Sequence, residues 1–507
     1  MKNLRNHSKM YARLHFMGIG GQGISSVAQM AQLAGNTVTG CDRQPSATTR
    51  MLEKAGIPVE IGHHVEHLQN ADALVISPAV PALQPDNPEL LGAQEANLPV
   101  FTWQELLGEL TQEKCLFSVS GVHGKGTTTA MLSLMMVDGG LDPTCEIGAV
   151  VPRFGTNYRL GQSDYFVNEA DEFNHNFWHY HPRVAVVTSI EFEHPEFFAN
   201  YDVFLNAFEQ FIRGMDRSDS WEIPTTLIVN TDSPGCLDLL KRLSDWKGRL
   251  ITYSIEGMPS AAASGAVSAL CEVAESYEAY NVKLDGETSF QVRTLSSKAF
   301  PEELTFQLGL PGTHNIQNAL AALVTASVAG VPPQSIQQTL TSFSGIRRRF
   351  EIRQQGPLPI HREPRDLLLI DDYAHHPTAI AATLEAAHRR YPDRRVIAVY
   401  QPHMYSRTKT FFEQFVPAFD GADIAIITDI FPARERDTGL VSSRQVVEAI
   451  QAHRQQAQLP GEVVAGGDLR ETTRILREIL RDGDLVLLMG AGDIYTVTEA
   501  LLHDGEL

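Results

Sequence analysis

Cysteine is scarce: the 507-residue chain has 5, at positions 41, 115, 145, 236 and 271, with no CxxC pair. An odd, scattered set argues against a disulfide framework or a zinc site and suits a reducing cytoplasm. Basic residues are also in deficit. Lys and Arg number 41 against 61 Asp and Glu, a net charge of −20, so the clustered cations that nucleic-acid phosphates require are missing. No run approaches the about 18 apolar residues of a membrane span, and the opening MKNLRNHSKMYARLHF has no apolar h-region of a secretory signal. These absences lead to the expectation of a soluble cytoplasmic protein whose partners are small molecules; a monomer or weak homodimer is expected, though nothing in the composition sets it. The chain is too long for a single core, and with 43% hydrophobic residues a multidomain globular protein is expected.

The most informative stretch is LFSVSGVHGKGTTTAML, residues 116–132. A short apolar run leads into Gly121-Val122-His123-Gly124-Lys125-Gly126-Thr127-Thr128-Thr129 and then an apolar-periodic segment, the order strand, glycine-rich loop, helix. The first N–H groups of a helix lack partners and its dipole end is positive, so such a corner binds phosphate. Gly121 and Gly124 let the loop curl, Lys125 brings charge to the β/γ phosphates, and a threonine hydroxyl can ligate Mg²⁺. The usual pattern is shortened here, and Gly126 occupies the position where a hydroxyl normally follows the lysine, leaving that work to Thr127.

Residues 1–112 are expected to form a Rossmann-like domain. A β-like run precedes Gly18-Ile19-Gly20-Gly21-Gln22-Gly23, a helical pattern follows, and a second strand ends in Asp42. This pattern serves NAD or FAD, and equally any ligand carrying a pyrophosphate and a ribose, such as a UDP-sugar. Ser77, after the apolar run from Ala73, is either a ligand contact at the strand end or turn punctuation. His63, His64 and His67 lie in a polar stretch that reads as surface.

Residues 113–345 are expected to form a central P-loop domain on a parallel sheet. Its apolar runs end in Glu169-Ala170-Asp171-Glu172 and in Glu191-Phe192-Glu193-His194, on the same sheet edge as the glycine loop. Carboxylate and imidazole there suit the Mg²⁺ that accompanies nucleotide phosphates, and helix N-terminal acids are the plainer alternative. His175, His179 and His181 have a spacing open to zinc but little else in its favour. Residues 255–300 lose periodicity and read as a peripheral insertion with a small β element. His314 and Asn315 open an alanine-rich helix, as caps or facing a purine base.

Residues 346–507 are expected to form a second Rossmann-like α/β domain. Arg347-Arg348-Arg349 mark the crossing, and the strand ends carry Asp372-Tyr373-Ala374-His375, His403-Met404-Tyr405-Ser406-Arg407 and Gly490-Ala491-Gly492.

The ordered set GIGGQG, SGVHGKGTTTA, NEADE, SIEFEHPEF, PGTHNIQNALAA, FSGIRRRFE, DDYAHHPTAI, QPHMYSRTKTFFEQF and GAGDI closely resembles the Mur ligase family of peptidoglycan synthesis. The resemblance implies a three-domain α/β enzyme that uses ATP and Mg²⁺. It would join UDP-N-acetylmuramate to L-alanine through an acyl phosphate, releasing ADP and phosphate. A murein tripeptide is the alternative acceptor, and a nicotinamide- or flavin-dependent oxidoreductase the distant alternative. By resemblance Gly18, Ile19, Gly20, Gly21, Gly23, Asp42, Ser77, Asn157 and Arg159 would hold the UDP substrate. The nucleotide would meet residues 121–128, His314, Asn315, Arg349 and Asp372. Thr127, Glu169 and His194 would ligate Mg²⁺, and Tyr373, His403 and Arg407 would hold the amino acid. Lys125, Glu169, His194, His375 and Arg407 would carry the chemistry. Met404 departs from the pattern, replacing an arginine beside the histidine.

Overall fold

Near-continuous apolar strands that need cover on both faces set the architecture. The structure, a computed structural model, describes residues 11–503 apart from 79, 259–270, 286, 295–299, 301–303, 362, 434 and 438. Strands β1 (Arg13–Met17), β2 (Thr37–Asp42), β3 (Val59–Ile61), β4 (Ala73–Ile76) and β5 (Val100–Thr102) form a parallel sheet in the order β3-β2-β1-β4-β5. The chain order reverses between β1 and β4, and the 18–23 loop leaves β1 at that switch point, where open α/β sheets bind ligands.

The second sheet contains β6 (Cys115–Ser120), β7 (Thr144–Val151), β8 (Thr156–Arg159), β9 (Tyr165–Glu169), β10 (Val184–Val187), β11 (Thr226–Asn230), β12 (Arg249–Ile255), β13 (Val273–Lys283), β14 (Thr288–Thr294) and β15 (Thr305–Leu308). Its order is β15-β14-β13-β12-β11-β10-β6-β9-β7-β8. Every residue of β6, β10 and β11 is buried, as expected of parallel strands covered on both faces. The sheet is mixed rather than purely parallel, because β7–β8, β13–β14 and β14–β15 pair antiparallel. Within 255–300, the described strands β13 and β14 continue the main sheet instead of forming a peripheral insertion; the remainder lies outside the described residues. Their alternating burial, one face on the core and one in water, gives a period of two that is weak against the surrounding polar sequence.

The third sheet comprises β16 (Glu351–Ile360), β17 (Glu363–Asp372), β18 (Val396–Tyr400), β19 (Ile424–Thr428), β20 (Glu462–Gly467) and β21 (Leu485–Met489), in the order β16-β17-β21-β18-β19-β20. Only β16 is antiparallel to its neighbour. The neighbours β17, β21 and β18 therefore bring the 372–376, 490–493 and 401–407 loops to one edge.

Helix Lys125–Asp138 and helix Thr313–Val328 pack against each other and both lie on the second sheet, with Ala319, Ala322 and Ala326 buried. One apolar cluster joins Leu14, Phe16 and Ile24 of the first sheet region to Leu116, Phe166 and Phe204 of the second. Phe192, beyond β10, packs on the core of the third. Among the described residues no helix is long and apolar enough to cross a membrane.

Leu320 is fully buried in this helix pair, so Leu320→Ala should cost about 3 kcal/mol of stability. Denaturant titration should show a lower midpoint with an unchanged m-value.

Candidate active site

The strand–loop–helix corner forms as the glycines require. Gly121 lies at φ 125° and Gly124 at φ 81°, and Gly124 caps helix Lys125–Asp138. A Cβ on Gly121 would stand 2.2 Å from Thr188 Oγ1, and one on Gly124 2.0 Å from Asn318 Oδ1, so side chains are excluded by space as well as by conformation. The Val122 and His123 amides donate to Ser189 O (2.9 Å) and Ser189 Oγ (3.0 Å), which fastens the loop to the strand beside it. Gly126 has its own reason. A Cβ there would lie 3.1 Å from Glu169 Oε2 and 3.3 Å from Ile346 Cδ1.

Lys125 turns into a nest of carboxylates. Its Nζ is 2.7 Å from Glu172 Oε2 and 3.9 Å from Asp171 Oδ1. Burial opposes its charge, but Glu172, Asp171 and Glu169 outweigh that and hold the ammonium above its ordinary value. Glu169 and Glu172 are pushed up by burial against the pull of Lys125. His194 Nε2 lies 3.8 Å from Glu172 Oε1, and its Nδ1 is 3.1 Å from Glu196. Asp171, Glu172 and His194 each offer a donor atom, all within 4.8 Å of one another. Glu169, the expected metal ligand, accepts the Gly148 amide at 2.9 Å through Oε2 and stands outside that trio, near Lys125.

A cavity of about 600 Å³ opens from this corner toward the third sheet. Of the expected nucleotide residues, His123, Gly124, Gly126, Thr127, His314, Asn315, Arg349 and Asp372 line it. Thr128 is turned away, its hydroxyl 3.4 Å from Asn318 Oδ1. Asn230, Asp232 and Gln317 also line the cavity; Asn230 ends β11, Asp232 follows it and Gln317 sits one turn into helix Thr313–Val328, and the sequence reading missed them. Asp372 accepts the amides of Phe350 and Ala374, each at 2.7 Å, while the Arg349 guanidinium lies over the Tyr373 ring at 4.9 Å. Arg348 donates to Gly490 O at 2.7 Å and Gly492 O at 2.9 Å, tying the domain crossing to the C-terminal turn.

Glu191 and Glu193, legible in the sequence only as acids at a strand end, join the second and third sheets. Glu191 pairs with His123, lies 3.2 Å from His376 Nδ1 and accepts from the Thr378 hydroxyl at 3.1 Å. Glu193 forms an ion pair with Arg407 at 2.8 Å, both side chains 4% exposed. Burial disfavours the Glu193 carboxylate, yet Arg407 outweighs it and holds the group well below the usual carboxylate range. Arg407 Nε is buried with no hydrogen-bond partner among the described residues, a cationic donor available to a carboxylate. His375 Nδ1 donates to Tyr373 O at 2.9 Å, which leaves Nε2 as the acceptor, and burial keeps the ring neutral. The His403 ring is 6.2 Å from that of His375.

The first-sheet loop is held from below. The amides of Gly18 and Ile19 donate to Cys41 O, and that of Gly20 to Asp42 Oδ2 at 2.8 Å. Asn157 Nδ2 reaches Gln22 O at 3.3 Å, linking the β7–β8 hairpin to this loop. Arg159 is engaged within its own hairpin, with Asp142 at 2.5 Å and Pro143 O at 2.7 Å. Ser77 lies just past β4 on the same sheet edge. The 63–67 histidines differ from expectation: His63 and His67 turn inward toward Glu89, with side chains 14% and 6% exposed. His175 stacks on Trp178 and His181 bonds Gly214 O, so that trio disperses.

Family models match the chain in order: Mur ligase family, catalytic domain, over 13–114; Mur ligase middle domain over 119–326; and Mur ligase, glutamate ligase domain, over 348–492. The chain is similar to the UDP-N-acetylmuramate–L-alanine ligase of Geobacter sp. strain M21, 36% identical over 493 residues and covering 97% of each. It is 37% identical over 501 residues to the enzyme of the same name from Acetivibrio thermocellus, covering 98% of this chain and 97% of that one. Among solved structures, the fold matches UDP-N-acetylmuramate-alanine ligase MurC from Thermotoga maritima at a TM-score of 0.74 and 22% identity, over 97% of this chain and 98% of that one. A murein peptide ligase from Psychrobacter arcticus 273-4 matches at 0.66 and 24%, with the same coverage.

His314 supplies a pH test. Burial lowers its pKa to about 4, so the unfolded chain takes up this proton first as pH falls below about 6.5. The histidine therefore costs stability between about pH 6.5 and 4 and nothing above that window. His314→Gln should narrow the loss of melting temperature across that range, leaving the difference between the proteins constant above pH 7.

Proposed function

The chain belongs to the Mur ligase family, an ATP-dependent ligase family, and from that premise we propose that it joins UDP-N-acetylmuramate to L-alanine, forming an amide bond and releasing ADP and phosphate. One observation carries the reading: His123, Gly124, Gly126 and Thr127 of the glycine loop line one cavity with Arg349 and Asp372 of the third-sheet region, and the Glu193–Arg407 ion pair joins the second and third sheets. In an oxidoreductase built on the first sheet those groups would have no task. The domains of this reading are 1–112 for the UDP substrate, 113–345 for ATP and 346–507 for the amino acid.

A carboxylate is a poor electrophile, so ATP must first phosphorylate it. Lys125 and the open N-terminus of its helix bind the phosphates and stabilise the charge that develops on the transferred group. The oxygen and nitrogen donors of Asp171, Glu172 and His194 fit a hard divalent cation, and Mg²⁺ would be held there with Thr127 and Glu169, supplying positive charge beside the phosphates. His314 and Asn315 present neutral donors and acceptors to a base. Arg407 Nε takes the carboxylate of the amino acid, with His403 and Tyr373 beside it, and neutral His375 accepts the proton its ammonium must lose before attack. Gly18–Gly23 amides, Asp42 and Asn157 hold the nucleotide-sugar, with Arg159 and Ser77 at the rim. The attack expels phosphate and needs no covalent enzyme intermediate. All these parts lie in one chain, which supports a monomer or weak homodimer, and the substrate set supports a cytoplasmic location.

Phosphate release from ATP should require UDP-N-acetylmuramate and L-alanine together; release with the murein tripeptide and not with L-alanine would overturn the acceptor. Lys125→Ala should abolish ligation while the affinity for UDP-N-acetylmuramate, measured by calorimetry, stays within a factor of about 2. Retained ligation would refute the nucleotide loop.

A further inference from the structure

The first sheet carries a second donor cluster that the ligase reaction does not use. His15 on β1 and Cys41 on β2 project from the same face of the sheet, the face covered by the 65–68 turn and helix Pro88–Glu95. From that cover come His67 and Glu89. One donor atom each from His15, Cys41, His67 and Glu89 lie within 4.8 Å of one another.

The arrangement is that of a ligand set. Glu89 is fully buried, yet its charged neighbours are histidines: His67 Nδ1 at 2.7 Å, and His15 Nε2 and His63 Nδ1 each at 3.8 Å. No lysine or arginine pairs with it among the described residues, so a buried carboxylate stands there without a fixed cation. Cys41 Sγ lies 3.1 Å and 3.2 Å from the two Glu89 oxygens. His15 Nε2 is buried, faces Glu89, and has no hydrogen-bond partner among the described residues. The far nitrogen of each ring is already engaged, His15 Nδ1 with Thr39 Oγ1 at 2.9 Å and His67 Nε2 with Glu60 Oε2 at 3.0 Å. That is how metal-bound imidazoles are oriented, with the outer N–H donated and the inner nitrogen left as ligand.

We propose that His15, Cys41, His67 and Glu89 form a closed zinc(II) site. Two imidazoles, one thiolate and one carboxylate make a tetrahedral donor set for zinc, whose bonds of about 2.0–2.3 Å place ligand atoms roughly 3.3–3.8 Å apart. Binding replaces the Cys41 thiol proton with the S–Zn bond, and the proton leaves to solvent. The metal balances the buried carboxylate and fixes the end of β2. Since the Cys41 carbonyl accepts the Gly18 and Ile19 amides at 2.8 Å and 3.0 Å, the site pins the glycine loop from beneath.

The test is cobalt(II) and zinc(II) titration of the full chain after chelator treatment. Cobalt should bind at one equivalent with a thiolate-to-metal charge-transfer band. The Asp171–Glu172–His194 cluster contains no sulfur and cannot produce that band. Zinc should displace the cobalt and raise the melting temperature, Cys41→Ser should remove the band, and Glu60→Gln should weaken zinc about 10-fold. Should Cys41→Ser fail to fold, His67→Gln should lower the affinity and alter the spectrum. A cobalt complex of the unaltered chain without the sulfur band overturns the site, as does zinc binding unchanged in His67→Gln.

Discussion

The structure depends on negative charge concentrated at the carboxyl edge of the central sheet. Glu169, Asp171, Glu172, Glu191 and Glu193 crowd at and just beyond the ends of β9 and β10, and Glu172 and Glu193 are buried. Like charges at that density repel, and each must be matched from elsewhere. Lys125 answers Glu172 from the glycine loop, Arg407 answers Glu193 from the third sheet, and His123 and His376 share Glu191. Such buried pairs add little net stability because desolvation offsets the attraction. What they fix is position: Arg407 and His376 come from the other side of the cleft, so pairing sets how the third sheet faces the second.

That constraint also gives the cleft its chemistry. Glu172 holds the Lys125 ammonium at the start of its helix, and Glu193 holds the Arg407 guanidinium that reaches in from the third sheet. Gly126 fits this picture. Its missing side chain leaves room for Glu169 and Ile346 against the start of the helix, so the departure from the usual loop pattern accompanies tight packing of an acid beside Lys125. Met404 is likewise no gap. It is buried at φ 67° and starts the turn that aims Arg407 inward.

Much of this was legible in the sequence where the signal is local. A buried parallel strand, a glycine loop and a helix follow one another in the chain, so the corner at 116–132 and the loop at 18–23 could be read directly. Residues joined only through space could not. Glu191 and His376 meet across the cleft, and Asn230 and Gln317 reach the cavity from separate elements. Among the acids at the end of β9 the order of residues gave no sign that Glu172, rather than Glu169, would face Lys125. The histidines at 63–67 looked like polar surface because their partner, Glu89, lies on a helix further along. The β13 and β14 strands alternate weakly and were lost in a polar background.

The ligase account rests on a carboxylate being phosphorylated before the amine arrives. The direct measurement is to supply UDP-N-acetylmuramate with oxygen-18 in its muramoyl carboxylate, together with ATP and L-alanine, and to analyse the released phosphate by mass spectrometry. Phosphate carrying one labelled oxygen per amide formed is the predicted result. Amide formed with unlabelled phosphate would mean that the carboxylate never became an acyl phosphate, and would contradict the account.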